Sequence, residues 1–139
     1  MPVTECTQTT ANKLHLDVSN HSSKLATAVL LRGVDLIVSM ELQHVIDLSA
    51  VGALLPRTFT LPELARLAGG SPDREGSEAI ADWLARIAPG RTAQTVLSSR
   101  PEEIDDPIGR PLRQYRRAAH EIEQSLVTIF DAAFGPAPG

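Results

Sequence analysis

The run of residues 34–40, VDLIVSM, constrains the fold more than any other part of the chain. It is short, rich in Val, Leu and Ile, and shows little alternation, which is typical of a strand buried on both faces. Leu42, Val45 and Ile46 then share one face of a helix predicted over residues 41–48. A strand followed at once by a helix indicates an α/β protein, with parallel strands if a second strand lies alongside.

A second strand is predicted near residues 57–61, where the sequence RTFTL favours an extended backbone and the preceding Pro56 indicates the edge of a sheet. Thr60 and Glu63 form the pattern of a capping box, which predicts a helix over residues 62–68. Aromatic residues make up only 4% of the chain, so the core must consist mainly of Leu, Ile, Val and Ala. The expected fold class is therefore α/β and helix-rich, with about two strands.

Helical spacing of apolar residues marks much of the remaining chain. It predicts three further helices, within residues 22–33, 80–87 and 111–134. Residues 91–106 show no convincing period and are expected to form a long loop. The domain is therefore expected to span residues 14–134, between a flexible arm of residues 1–13 and a frayed tail of residues 135–139.

Composition and charge argue against several classes of function. The formal net charge is −4 and the isoelectric point is near 5.5, so no overall positive field exists for a nucleic-acid backbone. No apolar run approaches the roughly 20 residues that span a bilayer, and no secretion signal is visible. Cys6 is the only cysteine, which excludes an internal disulfide and a cysteine-rich zinc site. We expect a cytoplasmic protein without membrane contact, metal or cofactor.

Asp106 has the setting that best suits acid–base chemistry. It precedes Pro107 in the sequence DDPIG, between the expected loop and the last helix. A carboxyl group in an apolar pocket at this point could act as a general acid. The same five residues are also common turn formers, so a purely structural role stays open.

Three other features have both a functional and a structural interpretation. His21 lies next to an expected helix start, where it could orient an anion-binding loop or cap the helix. The four arginines of residues 110–117 could contact phosphate or form a solvated helix face. Cys6 has an acidic neighbour and no glycine nearby, so it is interpreted as an inert, exposed thiol.

The order of these segments resembles the low-molecular-weight protein-tyrosine phosphatases, in particular their bacterial, actinobacterial-like branch. The matching segments are HSSKL from His21, VDLIVSM from Val34, LPRTFTL from Leu55 and DPIG from Asp106, followed by Tyr115 and the long helix. The resemblance covers roughly residues 14–134. Its most specific parts are the DLIVSM strand and the Asp-Pro element, in that order.

That family has a doubly wound, flavodoxin-like parallel sheet of four strands and hydrolyses phosphotyrosine through a phosphocysteine intermediate. By this resemblance, Asp106 would be the general acid that protonates the leaving phenol oxygen, while His21 and Ser23 would support the phosphate-binding loop. Ile108 would line the substrate cleft, where many relatives carry an aromatic residue. The resemblance implies a phosphotyrosine protein or a small phosphate ester as substrate, and no cofactor.

The chain departs from that family at the nucleophile. The family's cysteine lies in a Cys-x-x-x-x-x-Arg loop, whereas the residue six positions after Cys6 is Asn12, with no glycine between them. The strand, loop, helix and second strand that open the family fold need about 30 residues or more, and thirteen precede Leu14. We therefore expect a truncated phosphatase-like domain, the remnant of a doubly wound sheet, with negligible hydrolysis.

Two alternatives stay open. Without a neighbouring strand, VDLIVSM would be an uncovered edge, so the chain could be a non-catalytic module that binds a partner or forms a homo-oligomer through that edge. Relatives on the same fold also reduce arsenate, but with several cysteines, and this chain has one. A stable complex or homodimer without turnover would favour the binding module.

Overall fold

The computed structural model describes residues 5–13, 25, 27–136 and 138. The described part of the chain contains seven α-helices and two short β-strands. In chain order these are α1 (Glu5–Lys13), α2 (Ala28–Leu31), β1 (Ile37–Ser39), α3 (Leu42–Ala50), β2 (Thr58–Thr60), α4 (Leu61–Gly69), α5 (Ile80–Ile87), α6 (Ala93–Ser99) and α7 (Leu112–Phe134). None of the described helices is both long enough and apolar enough to cross a membrane.

Strands β1 and β2 pair in parallel, with Ile37 opposite Thr58 and Ser39 opposite Thr60. Helix α3 connects the two strands, so the predicted strand-helix-strand order and the helix-rich α/β class are confirmed. The prediction of a strand of seven residues buried on both faces is wrong: β1 has three residues, and Val38 is 37% exposed. Within the described residues β1 pairs with a strand on one side only, so no strand lies along its other edge.

The hydrophobic core lies where helices α4, α5 and α7 meet strand β2. Phe59, Leu64 and Leu84 are completely buried, and Ile129 contributes the face of α7 that packs against α4. Helix α5 buries Trp83, Leu84 and Ile87, as its apolar spacing predicted. The most periodic sequence segments therefore form the core.

Helix α4 begins as predicted, but with half of the expected capping box. The Thr60 side chain accepts a hydrogen bond from the Glu63 amide at 3.3 Å. The Glu63 carboxylate does not accept the second hydrogen bond of the box, from the Thr60 amide. It is buried and pairs with Arg91 at 2.7 Å. A tertiary ion pair thus replaces the second hydrogen bond of the box.

Helix α1 occupies residues that the sequence predicted to be a flexible arm. Its composition is polar, and the helix is stabilised by packing against α7, where Thr10 and Ala11 are each only 7% exposed. Helix α6 lies inside the expected long loop. It begins with a reciprocal capping box of Thr92 and Thr95 and buries Val96 alone, so its apolar residues show no period.

The helix predicted within residues 22–33 is shorter than expected. It covers Ala28–Leu31, and the Thr27 hydroxyl caps it by accepting from the Leu30 amide at 3.3 Å. Gly33 follows with a φ of +78°, a conformation that glycine adopts without strain. Ser22 and Ser23, which begin the predicted stretch and are residue types that suit a helix cap, lie outside the described residues.

Arg74 anchors the loop between α4 and α5 to the carboxyl end of α7. Its amide donates to the Ala132 carbonyl and its Nε to the Ala133 carbonyl, both at 2.8 Å. These carbonyls belong to the last turn of α7, where helical partners are lacking and a cation is favoured. In the same loop, the hydrogen bond from Arg86 holds the pKa of Glu78 below its ordinary value.

Candidate functional site

Residues 101–110, here called the acid loop, run across the carboxyl ends of both strands. The Ile104 amide donates to the Met40 carbonyl at 2.8 Å, directly after β1. The Thr60 hydroxyl, at the end of β2, donates to the Glu102 carbonyl at 2.5 Å. Ile104 itself is 3% exposed and belongs to the core. The loop is therefore held by both strands and by the buried side chains of Pro101 and Ile104.

Glu103 connects the acid loop to the start of helix α3. Its carboxylate accepts a hydrogen bond from the Leu42 amide at 2.5 Å, across 61 residues of sequence. Glu41, the residue at the cap position of that helix, makes no side-chain capping bond. A carboxylate at a helix start is favourable because the first amides are unpaired and the helix dipole is positive there.

Asp106 lies exposed within the acid loop. Its Oδ1 accepts a hydrogen bond from the Ile108 amide at 3.0 Å, which closes a local turn of the kind that Asp favours. A second turn follows at once, since the Arg110 amide donates to the Pro107 carbonyl at 2.9 Å and Gly109 has a φ of +76°. The sequence left two roles open for Asp106, a general acid and a turn former. The structure shows that Asp106 does form a turn.

A groove and a smaller cleft meet at Asp106. The groove has a volume of about 900 Å³ and lies between α1, the acid loop and α7. We call it the apolar groove; its apolar lining includes Met40, Tyr115, Ile122, Leu126, Val127 and Phe130. The cleft, of about 340 Å³, is polar and is lined by Glu103, Arg110, Gln114, Arg117 and Glu121. Asp106 lines both, and so does its neighbour Asp105.

From Glu5 to Lys13, the part of this segment that the structure describes, the backbone around Cys6 is helical and does not form the loop of an anion cradle. Cys6 lies in the first turn of α1, and the chain continues as helix through Lys13. Beyond the first turn, each amide of a helix donates to the carbonyl four residues earlier, so these amides cannot converge on a phosphate. A cysteine nucleophile of the expected kind needs a loop of convergent amides and an adjacent cation.

The structure brings two of the four predicted site residues together. Asp106 and Ile108 both line the apolar groove, with Ile108 66% exposed, whereas His21 and Ser23 lie outside the described residues. Arg110 and Arg117 of the arginine cluster line the polar cleft and are exposed. Across the described residues, no group of three His, Cys, Asp or Glu side chains is placed to hold a metal ion.

Sequence reasoning missed two features of the site. Glu103 was passed over because its partner, the Leu42 amide, lies far away in the sequence. Val127 and Phe130, each 53% exposed, were not recognised as part of a groove. The available signal was that both are apolar and flank the core stripe of the last helix.

Three comparisons with known proteins neither support nor oppose a family assignment. No protein-family model matches the chain. No curated protein and no solved structure matches it either. The likeness to the low-molecular-weight protein-tyrosine phosphatases therefore stays an expectation that rests on the sequence segments quoted above.

Proposed function

We propose that this chain is a low-molecular-weight protein-tyrosine-phosphatase-like domain, with a flavodoxin-like ancestry, that keeps the acid loop and does not hydrolyse phosphate esters by itself. The observation that carries the proposal is the anchoring of the acid loop to Met40 and Thr60, at the carboxyl ends of two parallel strands. In open α/β sheets, ligands bind in the crevice outside these ends. Asp106 lies in that position with its carboxylate exposed.

The proposed lack of turnover follows from the chemistry of the missing groups. In the related enzymes, a cysteine thiolate attacks phosphorus, the loop amides and an arginine stabilise the equatorial oxygens, and the aspartic acid protonates the leaving oxygen. Here the only cysteine is followed by helix and by Asn12 at the position of that arginine. Loss of one such donor commonly costs about 3 kcal/mol of transition-state stabilisation, so Asp106 alone cannot sustain the reaction.

The first prediction concerns hydrolysis of para-nitrophenyl phosphate by the full chain. We expect no release of para-nitrophenol above the rate in buffer, and no change in the variants Asp106→Ala and Cys6→Ser. Asp105→Ala is the matched control, since it removes the neighbouring carboxylate, and an active tyrosine phosphatase verifies the assay. Turnover that falls about tenfold or more in Asp106→Ala but not in Asp105→Ala would contradict the proposal.

A binding module that uses the edge of β1 is the second candidate. Val38 is 37% exposed, and β1 is paired on one side only within the described residues. On this alternative the chain forms a dimer, and Val38→Lys returns it to a monomer, because a charged side chain on an edge strand opposes strand addition. Light scattering checks this: a monomeric wild-type chain at high concentration would rule out the homo-oligomer through this edge.

A further inference from the structure

Helix α7 presents more apolar surface than the core covers. Its buried face packs against α4, while Ile122 and Leu126 are only partly buried and line the apolar groove. Val127 and Phe130, each 53% exposed, continue this surface. Apolar side chains that line a groove and are rimmed by polar residues mark a binding surface more often than scattered exposed ones do.

Among the described residues, the rim of the apolar groove carries charge of one sign. These residues contribute five carboxylates and no lysine or arginine to its lining: Glu41, Asp105, Asp106, Glu123 and Asp131. His44 and Tyr115 are the other titratable side chains that the described part of the chain contributes to this lining. Throughout the described residues, none of these carboxylates takes part in an ion pair. A ligand with cationic groups beside an apolar surface would therefore be complementary to the groove.

The walls of the groove favour a helical ligand over an extended one. Helices α1 and α7 use their backbone groups internally, so they offer no ladder of donors and acceptors to an extended peptide. A helix satisfies its own backbone and needs to supply only an apolar stripe. The lining residues of α7 run from Tyr115 to Asp131, which corresponds to roughly 24 Å of helix, or about four turns.

We propose that the apolar groove between α1, the acid loop and α7 binds a basic amphipathic helix of a partner protein. The apolar stripe of that helix would pack on Ile122, Leu126 and Val127, and its lysine or arginine flanks would face the rim carboxylates. This inference goes beyond the proposed phosphatase ancestry and does not depend on it. It concerns binding along α7. The two proposals have only the Asp106 end of the groove in common.

A labelled model peptide tests the proposal on the full chain. The probe is a fluorescent 16-residue peptide of leucine and lysine, with leucine at helical spacing on one face. We expect saturable binding by fluorescence anisotropy that weakens as salt is added. A shuffled peptide of the same composition and a leucine–glutamate peptide with the same stripe should each bind at least about tenfold more weakly. Equal binding of the amphipathic and shuffled peptides would overturn the proposal.

Two matched variants locate the binding to the groove. Val127→Lys places a cation in the groove, and Leu97→Lys makes the same change at a side chain that is also 53% exposed but lies outside it. We expect about a tenfold or greater loss of affinity in the first and wild-type affinity in the second, with circular dichroism confirming that both fold. Equal affinity of the two variants would overturn the proposal. The proposal would also be overturned if the wild-type chain formed a dimer that does not bind the peptide and that dissociates in Val127→Lys. A second copy of the chain would then occupy the groove.

Discussion

The substitution Arg91→Ala is expected to lower the free energy of unfolding by about 3–5 kcal/mol, because it leaves the buried Glu63 carboxylate without its partner. The two side chains are 6% and 3% exposed, and Arg91 contacts both carboxylate oxygens, at 2.7 and 3.2 Å. Arg91 also donates to the Leu55 carbonyl at 3.0 Å and to the Thr58 carbonyl at 3.0 Å. Its guanidinium lies 4.1 Å from the centre of the Phe59 ring.

Urea unfolding followed by far-ultraviolet circular dichroism measures this loss, and two further variants isolate its cause. Arg66→Ala breaks the exposed ion pair with Glu102, whose side chains are 54% and 48% exposed, and should cost less than about 1 kcal/mol. The double variant Glu63→Leu with Arg91→Met should lose less stability than Arg91→Ala, since it removes the uncompensated charge. Equal losses for Arg91→Ala and Arg66→Ala would contradict the prediction.

The substitution Leu84→Ala is expected to lower the free energy of unfolding by about 2–5 kcal/mol, through lost apolar burial and the cavity left behind. Leu84 is completely buried and lies in the core with Leu64 and Ile129. The result would show that α5 is part of the main core. The same urea titration provides the measurement, and the unique Trp83, 1% exposed beside it, adds a fluorescence probe.

Leu97→Ala is the matched control for Leu84→Ala, because it makes the same chemical change at a side chain that is 53% exposed on helix α6. A surface substitution of this kind should shift stability by no more than about 0.5 kcal/mol. If the two leucine variants were equally stable, α5 would not contribute to the core as described.

The elements that the sequence predicted well are those with a strong local pattern. Helix α5 has apolar residues at Ile80, Trp83, Leu84 and Ile87, a spacing that is incompatible with a strand. Helix α7 was predicted from the same periodicity over a longer stretch, and its bounds agree closely. The parallel pairing of β1 and β2 followed from the helix between them, because a short strand-helix-strand unit favours a parallel crossover.

The elements that the sequence missed depend on partners far away in the chain. Helix α1 is polar, and the burial of Thr10 and Ala11 against α7 stabilises it. Glu63 fits the local pattern of a capping box, yet its carboxylate pairs with Arg91, 28 residues later. A local pattern cannot distinguish these outcomes, since the free energies of a cap and of a buried ion pair depend on which groups tertiary folding excludes from water.

The same division applies to the candidate site. Residue type and order predicted that Asp106 and Ile108 lie in a turn and that Asp106 could also act as a general acid. The position of that turn across the ends of two strands depends on the hydrogen bonds of Ile104 with Met40 and of Thr60 with Glu102. The lining of the groove comes from four separate segments, namely α1, residues 40–44, the acid loop and α7, so no single window of the sequence contains it.

The sequence by itself determined the helix-rich α/β class, the strand-helix-strand unit and the position of the long last helix, because apolar periodicity and caps act over a few neighbouring residues. Only the tertiary structure decided that Arg91 lies buried against Glu63, that Glu103 caps helix α3 and that Asp106 stands between an apolar groove and a polar cleft. Those arrangements depend on which distant side chains are brought together and desolvated, and burial is a property of the packed chain rather than of any local segment.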